Sequence, residues 1–242
     1  MKRIAIIIMV VLVINIIYSC INNTNKMTKS NINLEQLPKG APWLTERKEI
    51  LRNPNRFQRL LDSRKWSESF LEIENMPYRK GERPITFDEI PHQMYTQQSS
   101  PKVLNTLVEA ALKYSKSVGT VVLPTKVSFY TTQPAFFIPE EISIPEGLLE
   151  YNREHAHIHA IWTPNQLPGP HTEGTGGGSM HVSVSHADAQ LLIERGWAEW
   201  HPMANENFPI ILLYAPQNME EIELSMAVIK ASYEFLTNDI KK

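Results

Sequence analysis

The stretch that decides the fold is Glu154-His155-Ala156-His157-Ile158-His159-Ala160, read together with Met180-His181-Val182-Ser183-Val184-Ser185. In both, small or apolar residues alternate with polar ones, which is the two-residue period of a strand. Ala156, Ile158 and Ala160 share one face, and His155, His157 and His159 share the other. Met180, Val182 and Val184 point one way, and His181, Ser183 and Ser185 the other. One face of each strand suits a core and the other does not, as in an antiparallel sheet. If the two strands pair, His181 joins the surface that carries His157 and His159. The connection Thr163–Ser179 is long for a hairpin, so spacing alone leaves the register open.

Working outward, helices and further strands alternate irregularly. After Pro101, Val103, Leu104, Leu107, Val108, Ala111 and Leu112 recur at helical spacing. Strand-like runs follow at Thr120–Leu123, Val127–Thr131 and Ala135–Ile138, with Pro124 and Pro134 suited to turns or edges. Ser185 with Asp188 predicts the start of a short helix that Gly196 ends. Pro209–Tyr214 reads as another strand. Asn218 with Glu221 opens a last helix whose apolar face is Ile222, Met226, Ile229, Tyr233 and Leu236. This order is not a regular βαβ alternation. The expected fold is α+β, with a mainly antiparallel sheet packed with helices.

Upstream, Leu44–Asn75 reads as a helical extension. Asn53-Pro54 serves as cap and first-turn proline, and Phe57, Leu60 and Leu61, then Trp66, Phe70 and Ile73, share faces. Pro77, Pro84 and Pro91 mark a connector. The expected divisions are 1–19, 20–43, 44–79 and 80–242, and the last should fold without what precedes it.

The first division resembles a secretory leader. Lys2 and Arg3 precede an apolar run from Ile4 to Ile17 that is shorter than the roughly 20 residues a spanning helix needs. Ile17-Tyr18-Ser19-Cys20 resembles a lipoprotein cleavage box. Cys20 is the sole cysteine, so an exported chain cannot use it for an internal disulfide, and lipid attachment there is the expectation. The mature protein would then sit on a cell-envelope membrane. Residues 21–40, rich in Asn, Lys, Thr and Ser, read as a tether. With 24 Lys+Arg against 26 Asp+Glu and a net charge of −2, the chain has no electrostatic drive toward nucleic acid.

The histidine face carries the chemistry. Histidines at i and i+2 on a strand lie roughly 6.5–7 Å apart at Cα. Both rings can reach one ion at about 2.0–2.1 Å, with a third ligand from the next strand. His157, His159 and His181 are therefore the metal candidates, for zinc or a similar divalent ion. The same pattern also suits a metal-free acid–base site or a plain solvated surface. Glu199 and His201 alternate after Trp197 and are candidate proton-transfer groups. Ser179, Ser183 and Trp197 are candidate ligand-binding residues. The run Gly174-Thr175-Gly176-Gly177-Gly178 has no phosphate-loop lysine and does not join a strand to a helix, so it is no nucleotide motif. No nucleophile elbow surrounds either serine.

At these residues the chain resembles the luciferase-domain family of small bacterial and fungal proteins. The matching pieces are Ala156-His157-Ile158-His159, Gly178-Ser179-Met180-His181-Val182, Glu194-Arg195-Gly196-Trp197, Glu199, His201-Pro202 and Tyr214-Ala215-Pro216. Pro91-His92-Gln93 with Thr96-Gln97 is similar to the family's opening motif. The resemblance spans roughly residues 80–238. Ala160 stands where a proline is usual, Ala198 where glycine is usual, and the loop before Ser179 is longer. The family name implies an oxidative, light-emitting reaction but assigns no residue a role. Two functions stay open: a small-molecule site on the histidine face, or a non-catalytic interaction module of the envelope.

Overall fold

A sheet forms where the alternation places it. The computed structural model describes residues 48–64, 66–87, 92–94, 96–128, 133–149, 152–160 and 177–238. Cys20, the leader, the tether and the glycine-rich loop up to residue 176 lie outside these. The described residues fall in one compact unit. Six strands, β1 (Val121–Pro124), β2 (Pro134–Phe137), β3 (Glu154–Ile158), β4 (Met180–Ser183), β5 (Ala198–Trp200) and β6 (Ile210–Leu213), join in the order β1-β2-β3-β4-β6-β5. Every pairing is antiparallel. The complete helices among the described residues are α1 (Gln58–Asp62), α2 (Pro101–Val118), α3 (His186–Glu194) and α4 (Met219–Thr237). The fold is α+β, as the residue pattern implies.

The helix boundaries follow their caps. The Ser100 side chain accepts from the Val103 N–H, Ser185 from Asp188, and Asn218 from Glu221. Each cap supplies one of the acceptors that the first turn of a helix lacks. α4 packs against α2 and on β3 and β4. Ala156, Ile158, Met180, Val182, Ile211 and Leu213 meet Leu104, Leu107, Val228 and Ile229 in the main core. No helix among the described residues is long and apolar enough to cross a membrane.

Two local expectations differ from the structure. Val127 and Ser128 lie in a bend, where both N–H groups donate to Thr125 Oγ1, so the strand expected from Val127 does not form over them. Of the helix expected over Leu44–Asn75, the described part keeps only residues 48–51 and α1 helical. Asn53 Oδ1 accepts from the Asn55 N–H, closing an Asx turn in place of a helix cap. Arg64 and Trp66 then take positive φ, at 59° and 56°. Beyond them the Phe70 and Leu71 N–H groups donate to the buried Asp188 carboxylate. That bond replaces the i→i−4 ladder, and the apolar spacing is served by irregular chain. Trp66 and Phe70 pack on Phe235, while Leu51, Phe57, Leu71 and Ile73 join the main core.

Candidate functional site

The β pairing lines up one row across the sheet. Ala135 faces His157, His157 faces His181, His181 faces Leu212, and Leu212 faces Glu199. His157 and His181 are thus direct cross-strand neighbours, as expected if the strands pair. His159 continues the ladder past the end of β3: its N–H donates to Ser179 O, and its carbonyl accepts from Gly178 N–H, both at 2.9 Å. Gly178 has φ +89°, and a Cβ there would lie 2.2 Å from Ser99 Oγ, so only glycine fits this close approach. His201 follows β5 and donates its N–H to Ile210 O.

The face is not the solvated surface that alternation allows. His157 and His159 are 3% exposed and His181 is 7% exposed. Residues 48–52, 84–87 and 92–94 contribute Lys48, Arg52, Thr86 and His92 to this side of the sheet. His92 stacks on His181 with ring centroids 5.5 Å apart and meets His201 at 5.1 Å. His181 also meets His157, His159 and His201 at 4.9, 4.8 and 4.6 Å. His181 is therefore the hub of a buried cluster of five histidines.

His155 does not belong to it. The β2–β3 pairing slips by one residue between Phe136 and Phe137, so that Phe136 faces Ala156 and Phe137 faces Glu154. His155 is the extra residue of this bulge. Its Nδ1 bonds Ser232 Oγ of α4 at 2.9 Å, and its ring packs against Phe136 and Tyr233. The bulge sends Glu154 to the histidine side instead, where Oε1 lies 2.8 Å from His157 Nδ1. Strict alternation predicts the reverse for both residues.

Two carboxylate–histidine pairs result, one on each side of His181. In the first, Glu154 also accepts from Thr125 Oγ1 at 2.7 Å and Lys126 N–H at 2.9 Å. In the second, Glu199 Oε1 bonds His92 Nε2 at 2.9 Å, Thr86 Oγ1 at 2.6 Å and Lys48 Nζ at 3.0 Å. Its Oε2 accepts from Arg52 Nε and Tyr214 OH, both at 2.9 Å. Glu199 is fully buried. Burial alone would raise its pKa, but the His92 bond and the charges of Lys48 and Arg52 hold it well below the usual carboxylate range.

Three of these histidines, His159, His181 and His201, are held neutral by their environment. Burial, with neighbouring histidines adding to it, keeps His159 and His181 well below their ordinary pKa. Burial likewise lowers His201 to about 2, helped by His92, His157 and Arg56. Neutral rings have lone pairs to offer, as a metal site requires. With His157 Nδ1 on Glu154 and His159 Nδ1 on the Ser179 hydroxyl at 2.8 Å, the Nε2 atoms of both are left as ligands. His181 Nδ1 lies 3.1 Å from His157 Nε2. One ligand nitrogen from each of His157, His159 and His181 lies within 4.8 Å of the others.

Ser179 is thus brought to the site as a support for His159. Ser183 is on the same strand face as His181, its Oγ buried with no hydrogen-bond partner among the described residues. Trp197 lies in the main core and donates its Nε1–H to Pro77 O at 2.8 Å. It walls a different cavity, of about 540 Å³, beside Tyr78, Asn218 and Leu224. His92, Glu154, Lys48 and Arg52 were not candidates from spacing. Only His92 had a signal, as part of the Pro91-His92-Gln93 motif.

Fold and site together define an α+β protein built around a buried histidine cluster on an antiparallel sheet. Residues 171–232 match the family model of the luciferase domain. The luciferase of Armillaria gallica is 25% identical over 199 residues, covering 76% of this chain and 67% of that protein. The luciferase of Neonothopanus nambi is 24% identical over 198 residues, with the same coverage of each. No solved structure matches the chain. The resemblance read from the motifs is borne out: residues 171–232 match the luciferase domain, and the chain is similar to fungal luciferases.

Proposed function

We propose that this domain is a metal-dependent enzyme acting on a small organic molecule, with His157, His159 and His181 holding one ion. The observation that carries the reading is the orientation of the rings. Glu154 and Ser179 fix His157 and His159 by Nδ1, which leaves both Nε2 atoms beside His181. A carboxylate bonded to the far nitrogen of a ligand histidine fixes the ring and raises its basicity. Three imidazoles leave coordination positions open for water or substrate, and such a donor set suits zinc, copper, iron or nickel. The ion would act as a Lewis acid or redox centre. The chain's own residues orient the ligands, exclude bulk water and keep His159 and His181 neutral. The fungal relatives are named luciferases, and a luciferase-type reaction on a small molecule is the class we carry over.

Metal analysis of purified protein tests this. About one ion per chain is expected, lost in the His157→Ala/His159→Ala variant. A wild-type protein that stays metal-free after exposure to zinc, copper and iron salts overturns it. The second reading is a metal-free acid–base site, favoured by His201. Its Nδ1 accepts from the Met203 N–H at 3.1 Å, so the neutral ring carries its proton on Nε2. The interaction-module alternative called for an exposed apolar face over residues 53–75. Phe57, Leu71 and Ile73 pack against the core, which supports the enzyme reading over it.

We also propose that the domain is exported and held at a membrane by lipid on Cys20, from the leader and the lone cysteine. Cys20→Ser should abolish fatty-acid labelling and release the protein from the membrane fraction. Retention of both rules the anchor out.

A further inference from the structure

His181 offers its two nitrogens to different neighbours. Nδ1 faces His157 Nε2 at 3.1 Å, and Nε2 is buried with no hydrogen-bond partner among the described residues. On the side of the cluster away from Glu154 stand His92 and His201. His92, His181 and His201 form a second set whose ligand nitrogens all lie within 4.8 Å of one another. His92 is prepared as His157 is, with Glu199 Oε1 on its Nε2 at 2.9 Å, so that Nδ1 would be the ligand atom. We propose that His92, His181 and His201 bind a second divalent metal ion, and that His181 bridges the two ions through its opposite nitrogens. The inference rests on the reading of His157, His159 and His181 as the first site.

The bridge has a defined proton balance. A neutral imidazole keeps one ring proton, so coordination at both nitrogens makes His181 an imidazolate and releases that proton to solvent. A buried nitrogen with no partner is costly, and a metal bond removes that cost. The second ion is the weaker one, for two reasons visible in the site. Lys48 and Arg52 stand on Glu199 at 3.0 and 2.9 Å, so this carboxylate is already neutralised, whereas Glu154 has only His157, Thr125 and the Lys126 backbone N–H. His201 must also surrender the bond its Nδ1 accepts from the Met203 N–H.

Titration of chelator-stripped full chain with zinc, read by calorimetry and elemental analysis, tests the proposal. Two equivalents are expected, the first at least tenfold tighter. His92→Ala should abolish the weaker phase and keep the tighter one. The His157→Ala/His159→Ala variant should lose the tighter phase. His92→Gln, which keeps a polar group on Glu199, serves if the alanine variant does not fold. Loading with copper(II) adds a readout that needs no variant, since two copper ions across one imidazolate give a magnetically coupled resonance. Saturation at one equivalent overturns the second site and leaves the first standing. A second equivalent that survives in both His92 variants also overturns it, as does an uncoupled two-copper signal. Binding of no ion at all overturns the first site as well.

Discussion

Glu154–His157 and Glu199–His92 are the same device built twice, and the surroundings make them different objects. Each places a buried carboxylate on one nitrogen of a histidine whose ring lies against His181. Glu154 is satisfied by neutral donors from its own neighbourhood, Thr125 and the Lys126 backbone. Glu199 is satisfied by two cations carried in from residues 48–52, more than 140 positions away in sequence. A carboxylate with neutral partners still has its charge to give to a ligand histidine and an ion. A carboxylate with two cations is spent on holding the chain together. On the proposed reading the first pair supports a metal ligand, while the second also joins the upstream segment to the sheet.

The largest expected effect breaks the second pair. Glu199→Ala would leave Lys48, Arg52, His92 and Tyr214 facing an empty buried site. Removing one partner of a buried ion pair typically costs about 3–5 kcal/mol, because the remaining charge stays desolvated. Denaturant unfolding should show a loss of that order. A loss under about 1 kcal/mol would mean that residues 48–52 are not fastened through Glu199. Truncation to residue 80 removes both cations and Leu51 from the core, so it should destabilise at least as much. That outcome would reverse the independence expected from the proline-rich connector.

Glu154→Gln is the matched change in the first pair. Gln still accepts from Thr125, so the stability cost should stay near 1 kcal/mol. Affinity for the ion should fall about 10- to 100-fold, the usual effect of removing such a support. Equal losses of metal affinity from the two carboxylate changes would erase the distinction drawn between the pairs. Gly178→Ala probes the same half through the backbone. With a positive φ and Ser99 Oγ 2.2 Å from the new Cβ, it should cost about 1–3 kcal/mol and displace His159. A neutral result in thermal melts would show that the turn relaxes freely.

The two halves were not equally legible in the sequence. Alternation reads His157, His159 and His181 correctly because a strand's period is local, and the register places His157 opposite His181 as hoped. It misplaces His155 and Glu154 because a bulge is one extra residue that no period announces. The cap motifs at Ser185 and Asn218 are local chemistry and read true. In the second pair Glu199 and His92 are each flagged singly, by alternation with His201 and by the Pro91-His92-Gln93 motif, but nothing local joins them. The pair and its partners come from residues 48, 52, 86, 92, 199 and 214, and only tertiary packing brings them together. The upstream helix fails for a related reason. Its apolar spacing is real, but Asp188 takes the backbone N–H groups the helix needs.

The smallest expected effect concerns the residue that the bulge turns away from both pairs. His155 is buried against Ser232, Phe136 and Tyr233, and burial lowers its pKa to about 3. In the unfolded chain it titrates near 6.5. Between those values the unfolded state binds a proton that the folded state refuses, so stability is full above about pH 6.5 and declines as pH falls toward 3. One such group contributes at most about 1.4 kcal/mol per pH unit within that window. His155→Gln removes the titration while keeping a polar group for Ser232. The variant should be weaker than wild type at pH 7.5 through lost ring packing, yet its stability should fall less steeply from pH 6.5 to 4.5. Chelator-treated protein should be used, so that no bound ion competes with protons and the other histidines add the same slope to both. Parallel curves would show that His155 protonates in the folded state, and that the bulge does not seal it from water.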